Sequence, residues 1–314
     1  MIMNEYFDTR TLEPPKGRER ACPVRGCKAV LQPQQRGKHM GLSCPAHDID
    51  VHSTTFVYTN PARNIPFDVS FFERAILPCK LKAETHRFGY ENSEDALTWN
   101  VLAELANKGR LSELARSMAH VDLTDEPELY LWGLRVSLND PAALKPFAAL
   151  TEARKVFESD ISRLQTEPDI MLFVPGKVLV VVEAKFTSEN SSSDDPVRLT
   201  NRYKSDLLPA GSVITPKAKA SLFSQLYRNL VFAIWMADKL NVEWRLVNLT
   251  SNRKGRYDLK MLASKVLPEQ TRDRCIRYTW EQLFHDQLEG KAELLALANY
   301  LRFKSANCRT AFEI

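Results

Sequence analysis

The sequence predicts an α/β fold, a central mixed sheet flanked by helices, with a small cysteine-bearing module in front of it. Three observations predict this. The Val-rich run Val178–Val182 reads as a strand buried on both faces, and Pro175-Gly176 joins it to the apolar run Ile170–Val174, so the two form a hairpin. Helical and strand patterns alternate around that hairpin in the order helix, strand, helix, hairpin, helix, strand. Three of the six cysteines fall between residues 22 and 44, ahead of the alternating region.

At 314 residues and 44% apolar content the chain can bury a substantial core, in one large domain with an appendage or in two domains. The formal net charge of +4 is too small to argue for nucleic acid by itself. No apolar run reaches the ~18 residues of a membrane span, and the first twenty residues lack the apolar core of a signal peptide. The expectation is a cytoplasmic protein with no membrane association. The eleven glycines include no phosphate loop and no dinucleotide fingerprint.

Taken in order, residues 1–64 read as a polar arm followed by a metal-binding module. Cys22, Cys27, Cys44 and His47 stand in the pattern C-x4-C-x16-C-x2-H. Two close pairs across a polar hairpin tip can each wrap one edge of a tetrahedral site, which points to a structural Zn2+. His52 and His39 are alternatives to His47 at less regular spacing, and disulfides are the weaker account because nothing indicates secretion. Residues 65–314 hold the second domain, opened by a linker with a short helix near residues 70–76. Asn92 is placed to cap a helix running to Arg110, with Leu97, Val101, Leu102 and Leu105 as its buried stripe. Glu94 lies on or near that stripe, where a carboxylate is unusual unless something there needs it, although a first-turn acid also suits the helix dipole. Glu128–Leu138 reads as one strand and Pro141–Leu164 as a helix. After the hairpin, residues 187–215 are low in complexity and read as a loop. Thr215-Pro216 then starts a helix to about Lys239 with its apolar face on the sheet. Val242–Leu249 is a strand, and helices near 279–288 and 292–304 form a C-terminal cover. Residues 251–278 carry eight Lys or Arg against three acids, which is either a phosphate-facing surface or an ordinary solvated basic face.

The chemistry concentrates at the end of the Val-rich strand. Glu183 and Lys185 alternate past Ala184 onto one face of the sheet, and hairpin pairing brings Asp169 beside Glu183. Two carboxylates and an amine converging there suit metal-assisted phosphodiester hydrolysis, with hard oxygens holding Mg2+ or Mn2+ and a cation offsetting the growing charge. On this reading Asp169 and Glu183 repel each other without metal while Lys185 offsets part of that, and neutralising either carboxylate relieves the repulsion.

These residues, Pro168-Asp169 followed by Glu183-Ala184-Lys185, resemble the signature of the PD-(D/E)xK nuclease superfamily. The resemblance covers residues 90–250. It implies a restriction-endonuclease-like core in which Asp169 and Glu183 bind Mg2+ and Lys185 positions or activates the attacking water. It also implies an acid on the first core helix, matched by Glu94 with Glu91 and Asp95 as competitors. Its Gln-x-x-x-Tyr helix is matched in part by Gln225, with Asn229 standing where the Tyr belongs. The functional expectation is a metal-dependent nuclease, DNA ahead of RNA, of restriction or defence type, acting alone, as a homodimer or with a protein partner. Two other readings stay open: a zinc-module reader of nucleic acid or protein on an inactive nuclease scaffold, and an RNA-processing nuclease.

Overall fold

A computed structural model of the chain describes residues 22–24, 26–36, 39–51, 55–65, 87–137, 145–161, 165–193, 195–214, 222–307 and 314. They form two compact units, residues 1–104 with 288–314 and residues 105–287. The first unit begins with an antiparallel four-stranded sheet in the order β1-β2-β3-β4, with β1 at Gln32–Arg36, β2 at His39–Cys44, β3 at Ile49–Val51 and β4 at Phe56–Tyr58. Its apolar core is small, consisting of Ile49, Phe56 and Tyr58 with Val24 packed against it. The expected linker helix near residues 70–76 lies outside the described residues.

Helix α1 spans Glu94–Asn107. Ser93, not Asn92, opens it, since the Ala96 N–H donates to the Ser93 hydroxyl at 3.0 Å. That is the N-cap geometry in which a short side chain replaces a missing helical acceptor, here one residue later than the sequence suggests. The predicted stripe of Leu97, Val101, Leu102 and Leu105 is fully buried.

In the second unit, α2 (Leu111–Ala119) precedes β5 (Glu128–Leu131) and β6 (Leu134–Arg135). The sequence reads residues 128–138 as one strand, yet Trp132 and Gly133 both take positive φ, 53° and 82°, and fold it into a two-residue hairpin. Helix α3 (Ala148–Phe157) leads to β7 (Ile170–Val174) and β8 (Val178–Ala184). Their turn has Pro175 at the second position, Gly176 at φ 71° in the third, and Lys177 N–H closing on the Val174 carbonyl at 3.0 Å. This is type II turn chemistry, with Pro pre-setting φ and Gly tolerating the left-handed region. A short α4 (Pro196–Arg202) lies in the stretch read as loop, with Asp195 as its N-cap, and α5 (Ser224–Leu240), β9 (Glu243–Thr250), α6 (Asp258–Val266), β10 (Cys275–Thr279) and α7 (Trp280–Leu283) follow. The proposed helix start at Thr215-Pro216 lies outside the described residues.

The six strands form one mixed sheet in the order β10-β9-β8-β7-β5-β6, with β8, β9 and β10 parallel and the remaining pairs antiparallel. Every residue of β8 is buried, as expected for a central strand covered on both sides. On one face Met171, Leu179, Val181 and Leu246 pack with residues of α3, α5 and α6; α2 packs against β9 and β10. Burial of each large aliphatic side chain here contributes about 1.5–3 kcal/mol, which makes this sheet a rigid base for whatever its strand ends carry.

The last helix, α8 (Leu295–Asn307), belongs to the first unit. Its Lys304 is wholly buried, donating to Asn64 Oδ1 at 2.7 Å and to the Glu91 carbonyl at 3.0 Å, with the Glu91 carboxylate 2.8 Å away. Tyr58 donates to the same carboxylate at 3.1 Å, so a buried charge pair with satisfied hydrogen bonds ties β4, α1's approach and α8 together. Among the described residues no helix is long and apolar enough to cross a membrane.

Candidate functional site

The site is built by pairing register. Ile170 faces Val182 across the β7–β8 ladder, so Asp169 and Glu183, one step further, stand opposite each other just beyond it. Asp169 Oδ2 accepts from the Ala184 N–H at 2.8 Å, which fastens this carboxylate to the end of β8. Glu183 is 2% exposed and holds two donors: Lys185 Nζ at 2.6 Å on Oε1 and Asn229 Nδ2 at 2.7 Å on Oε2. Lys185 is held through its backbone as well, with its N–H on the Leu249 carbonyl at 2.7 Å and its carbonyl accepting from Trp280 Nε1 at 2.9 Å. The structure therefore brings Asp169, Glu183 and Lys185 together at one sheet end and fixes each by a hydrogen bond to a buried element.

The contacts add to the charge balance inferred from sequence, in which Lys185 already offsets part of the carboxylate repulsion. Glu183 is neutralised by the Lys185 ammonium and further stabilised by an amide, and Asp169 rests on a backbone N–H, so the metal-free cluster is a bonded network. Each carboxylate oxygen accepts more than one hydrogen bond, which leaves Glu183 acceptor capacity for a hard cation.

Asn229 takes the contact that the resemblance would give to the helix α5 residues around Gln225. Gln225 lies one turn earlier on the same helix and is half-buried, while Asn229 reaches Glu183. Glu94 sits in the first turn of α1 and belongs to the first unit; Asp169, Glu183, Lys185 and Asn229 belong to the second. Its competitor Glu91 is occupied by Lys304 and Tyr58.

One residue was not singled out from sequence. Asn248 pairs in register with Glu183 on the adjacent parallel strand, which puts both side chains on the same face of the sheet. It is fully buried, and neither its Oδ1 nor its Nδ2 has a hydrogen-bond partner among the described residues. Gly255, at φ 57°, closes over it: a Cβ there would lie 3.3 Å from Asn248 Nδ2, Asn190 Nδ2 and Asp258 Oδ2 alike. Only glycine leaves that space open. A single Asn in an apolar strand is a signal that sequence alone shows but cannot weigh.

The basic stretch 251–278 is partly structural. Arg277 donates to the Ser251 carbonyl at 2.7 Å, Arg272 to the Leu267 carbonyl at 3.0 Å, and Arg274 lies over the Trp244 ring, so these three serve β9, α6 and β10.

The first unit carries a separate centre. The ligand atoms of Cys22, Cys27, Cys44 and His47 all lie within 4.8 Å of one another. Cys27 Sγ is 3.8 Å from Cys44 Sγ, and His47 Nδ1 is 3.4 Å from Cys44 Sγ and 3.6 Å from Cys22 Sγ. A tetrahedron with Zn–S bonds of about 2.3 Å has edges of about 3.8 Å between sulfurs and slightly less to nitrogen. The group can therefore bind zinc. Gly26, at φ 74°, allows the turn that returns Cys27 N–H to the Val24 carbonyl, and the Cys44 carbonyl accepts from both His47 and Asp48 N–H groups. Arg63 donates to the His47 carbonyl and so orients that ligand's backbone. Of the alternative ligands, His52 lies outside the described residues.

A mixed six-stranded sheet flanked by helices, with an acidic cluster at the end of its central hairpin and a Cys3His module at the N-terminal side, defines a restriction-endonuclease-like protein. Residues 28–304 match the family model described as Restriction Endonuclease associating with ARP, and the chain belongs to that family. No curated protein and no solved structure gave a significant match.

Proposed function

We propose that the protein is a divalent-metal-dependent nuclease that hydrolyses phosphodiester bonds, in DNA before RNA, as part of a restriction or defence system. The observation that carries this reading is the joining of Asp169, Glu183 and Lys185 at the end of the β7–β8 hairpin, in a chain of a restriction-endonuclease family. Asp169 and Glu183 would hold Mg2+ or Mn2+, which when bound polarises the phosphate and lowers the pKa of water. Asn229 keeps the Glu183 carboxylate aimed, and Trp280 keeps the Lys185 backbone in place. Lys185 gives its ammonium hydrogens to the attacking water and to the phosphate oxygen on which charge develops. The water oxygen bonds to phosphorus, the bond from phosphorus to the leaving sugar oxygen breaks, and that oxygen takes up a proton. Glu94 and Gln225 remain auxiliary candidates whose loss would reduce turnover less than loss of Asp169 or Glu183. The Cys3His centre holds zinc for structure and presents its hairpin to nucleic acid or to a protein; the family description, which speaks of association with ARP, supports a protein partner.

The test is incubation of zinc-loaded protein with plasmid, linear DNA and RNA in Mg2+, Mn2+ or EDTA. Cleavage that needs the divalent ion and disappears in Asp169→Asn, Glu183→Gln and Lys185→Ala is expected. Metal-dependent cleavage that survives in all three variants would refute the assignment. Tight binding with no cleavage in wild type would favour the reader on an inactive scaffold.

A further inference from the structure

A cavity lined by several arginines opens in the unit that carries the acidic cluster. Its volume is about 350 Å3, and Arg198, Arg202, Arg228, Ser193 and Ser224 line it together with Leu199, Ile161, Asp195 and Tyr203. Three guanidinium groups converging on one cavity need their charges accounted for. Arg202 is paired, with Nη2 2.9 Å from Asp160 Oδ2. Among the described residues Asp195 is the only acid lining the cavity, and its Oδ1 accepts from the Arg198 backbone N–H at 2.8 Å, where it caps α4. Below Tyr203, the Glu158 carboxylate is buried and turned to Thr166 and to the Tyr203 hydroxyl, the latter at 2.6 Å. Arg198 and Arg228 make no ion pair among the described residues. Arg228 is the more telling of the two, because its Nε is shut off from solvent with no hydrogen-bond partner there. A guanidinium cannot shed its proton to escape that situation, and its planar fork fits two oxygens of a phosphate.

The location gives the ligand its class. Ser224 and Arg228 are four residues apart on α5 and share a face; Gln225 and Asn229 are each one residue further on. Asn229 is the residue bonded to Glu183. One rigid helix thus carries both the cavity's central cation and a donor to the acidic cluster. The loop after Lys185 is fastened to the same helix start, with Ser193 N–H on the Leu222 carbonyl at 2.6 Å and Ser224 N–H on the Ser191 carbonyl at 3.1 Å.

We propose that this cavity is a phosphate site, in which Arg228 and Arg198 grip a phosphate group of the nucleic-acid strand other than the one being hydrolysed, with Arg202 and Ser224 at its rim. The assignment of the phosphate to a strand rests on the nuclease reading above; the anion site itself does not. The site anchors the strand's register relative to the carboxylates and carries no base preference, since phosphates report position and not sequence.

The experiment measures binding without chemistry, on full-length zinc-loaded protein with no Mg2+ or Mn2+ present. Fluorescence anisotropy across a salt series follows labelled DNA duplex and single strand, each with a 5′-phosphate or a 5′-hydroxyl, and thermal unfolding with added inorganic phosphate runs in parallel. Arg228→Met and Arg198→Gln should each weaken DNA binding by roughly fivefold to tenfold and lower the slope of log affinity against log salt by about one, the signature of one lost phosphate contact. Arg228→Lys should recover part of the affinity, and the exposed control Lys239→Gln should change it less than about twofold. Arg228→Met should melt at or above wild type, because it removes an unpartnered buried donor, and that pairing of kept stability with lost binding is one a merely structural arginine would not give. A loss confined to the 5′-phosphorylated strands assigns the cavity to a terminal phosphate, and an equal loss on both assigns it to an internal one. Wild-type affinity and slope in both variants would overturn the proposal. So would loss of stabilisation by inorganic phosphate with DNA binding intact, because the ligand would then be a small phosphate and not a strand. The two readings fail separately: an Arg228-dependent salt slope with no metal-dependent cleavage sinks only the nuclease, and cleavage with unaltered binding sinks only the cavity.

Discussion

Glu183→Gln removes one negative charge from a buried position where a lysine ammonium and an amide both donate to it. In the native cluster the carboxylate takes Lys185 Nζ on one oxygen at 2.6 Å and Asn229 Nδ2 on the other at 2.7 Å, and all three residues are buried. A glutamine keeps the length and one acceptor oxygen. Its NH2 must then face either an ammonium or an amide donor, and the buried Lys185 ammonium loses the carboxylate charge that lies 2.6 Å from it. Breaking a buried pair by neutralising one member costs about 3–5 kcal/mol, and the retained acceptor puts this case near the lower end, about 3 kcal/mol. For a unit of this size a loss of 1 kcal/mol moves the melting temperature by about 2–4 °C, so the variant should melt about 6–12 °C below wild type. The assay is thermal unfolding followed by circular dichroism, with zinc retained and no Mg2+ added. Combining Glu183→Gln with Lys185→Met removes the ammonium along with the carboxylate and should recover part of the loss. If Glu183→Gln melts at or above wild type, carboxylate repulsion dominates the metal-free site after all, and the bonded network described here does not stabilise it.

The other expectations are simpler to state. Asn229→Leu should weaken Mg2+ binding by about 10–100-fold in calorimetric titration, because Glu183 loses one of the two donors that orient it; unchanged affinity would remove Asn229 from the site. Asn248→Leu should keep or raise stability, since it deletes two unpartnered buried atoms at a cost of about 1–3 kcal/mol in the native chain, while cleavage falls at least about tenfold; unchanged turnover would make Asn248 a packing residue. Purified protein should contain about one equivalent of zinc by elemental analysis, and Cys22→Ser with Cys27→Ser should lose it, because the small apolar core of the module cannot replace the metal. Gly133→Ala should destabilise by about 1–3 kcal/mol in urea, as its Cβ would sit 2.7 Å from Leu150 Cδ2 at a φ of 82°.

The parts of the fold visible in the sequence are those whose physics is local. Val178–Val182 announces a strand covered on both faces, Pro175-Gly176 fixes the turn before it, and the alternation past Ala184 already puts Glu183 and Lys185 on one face. The cysteine spacing likewise brings Cys22, Cys27, Cys44 and His47 to one point because each pair closes its own tight turn. What escaped depends on partners far along the chain. ELYLWGLRVSL is predominantly apolar, and Trp132 is not a residue that advertises a left-handed turn, so β5 and β6 read as one strand. Ser93 and Asn92 are both good caps, and only the helix's final register chooses Ser93. Asn229 was noticed as a departure from a motif, when its bond to Glu183 across 46 positions is what gives it a task. Asn248 stands out locally only as one amide in an apolar strand, since its relation to Glu183 is created by the parallel register of β8 and β9.

The first compact unit is assembled from both ends of the chain, and this sets an order of events during synthesis. The second unit is contiguous and has all six strands of its sheet once residue 287 has emerged. The first must wait. Asn100 Nδ2 donates to Tyr300 across 200 positions, and Lys304 reaches Asn64 across 240, so its interior lacks both a hydroxyl and an ammonium until the final helix is made. Until then Glu91 lacks the Lys304 ammonium that lies 2.8 Å from it in the folded chain, and the first unit closes after the second. A chain ending at residue 287 would retain the acidic cluster and its strands yet lose the cation around which the other unit closes.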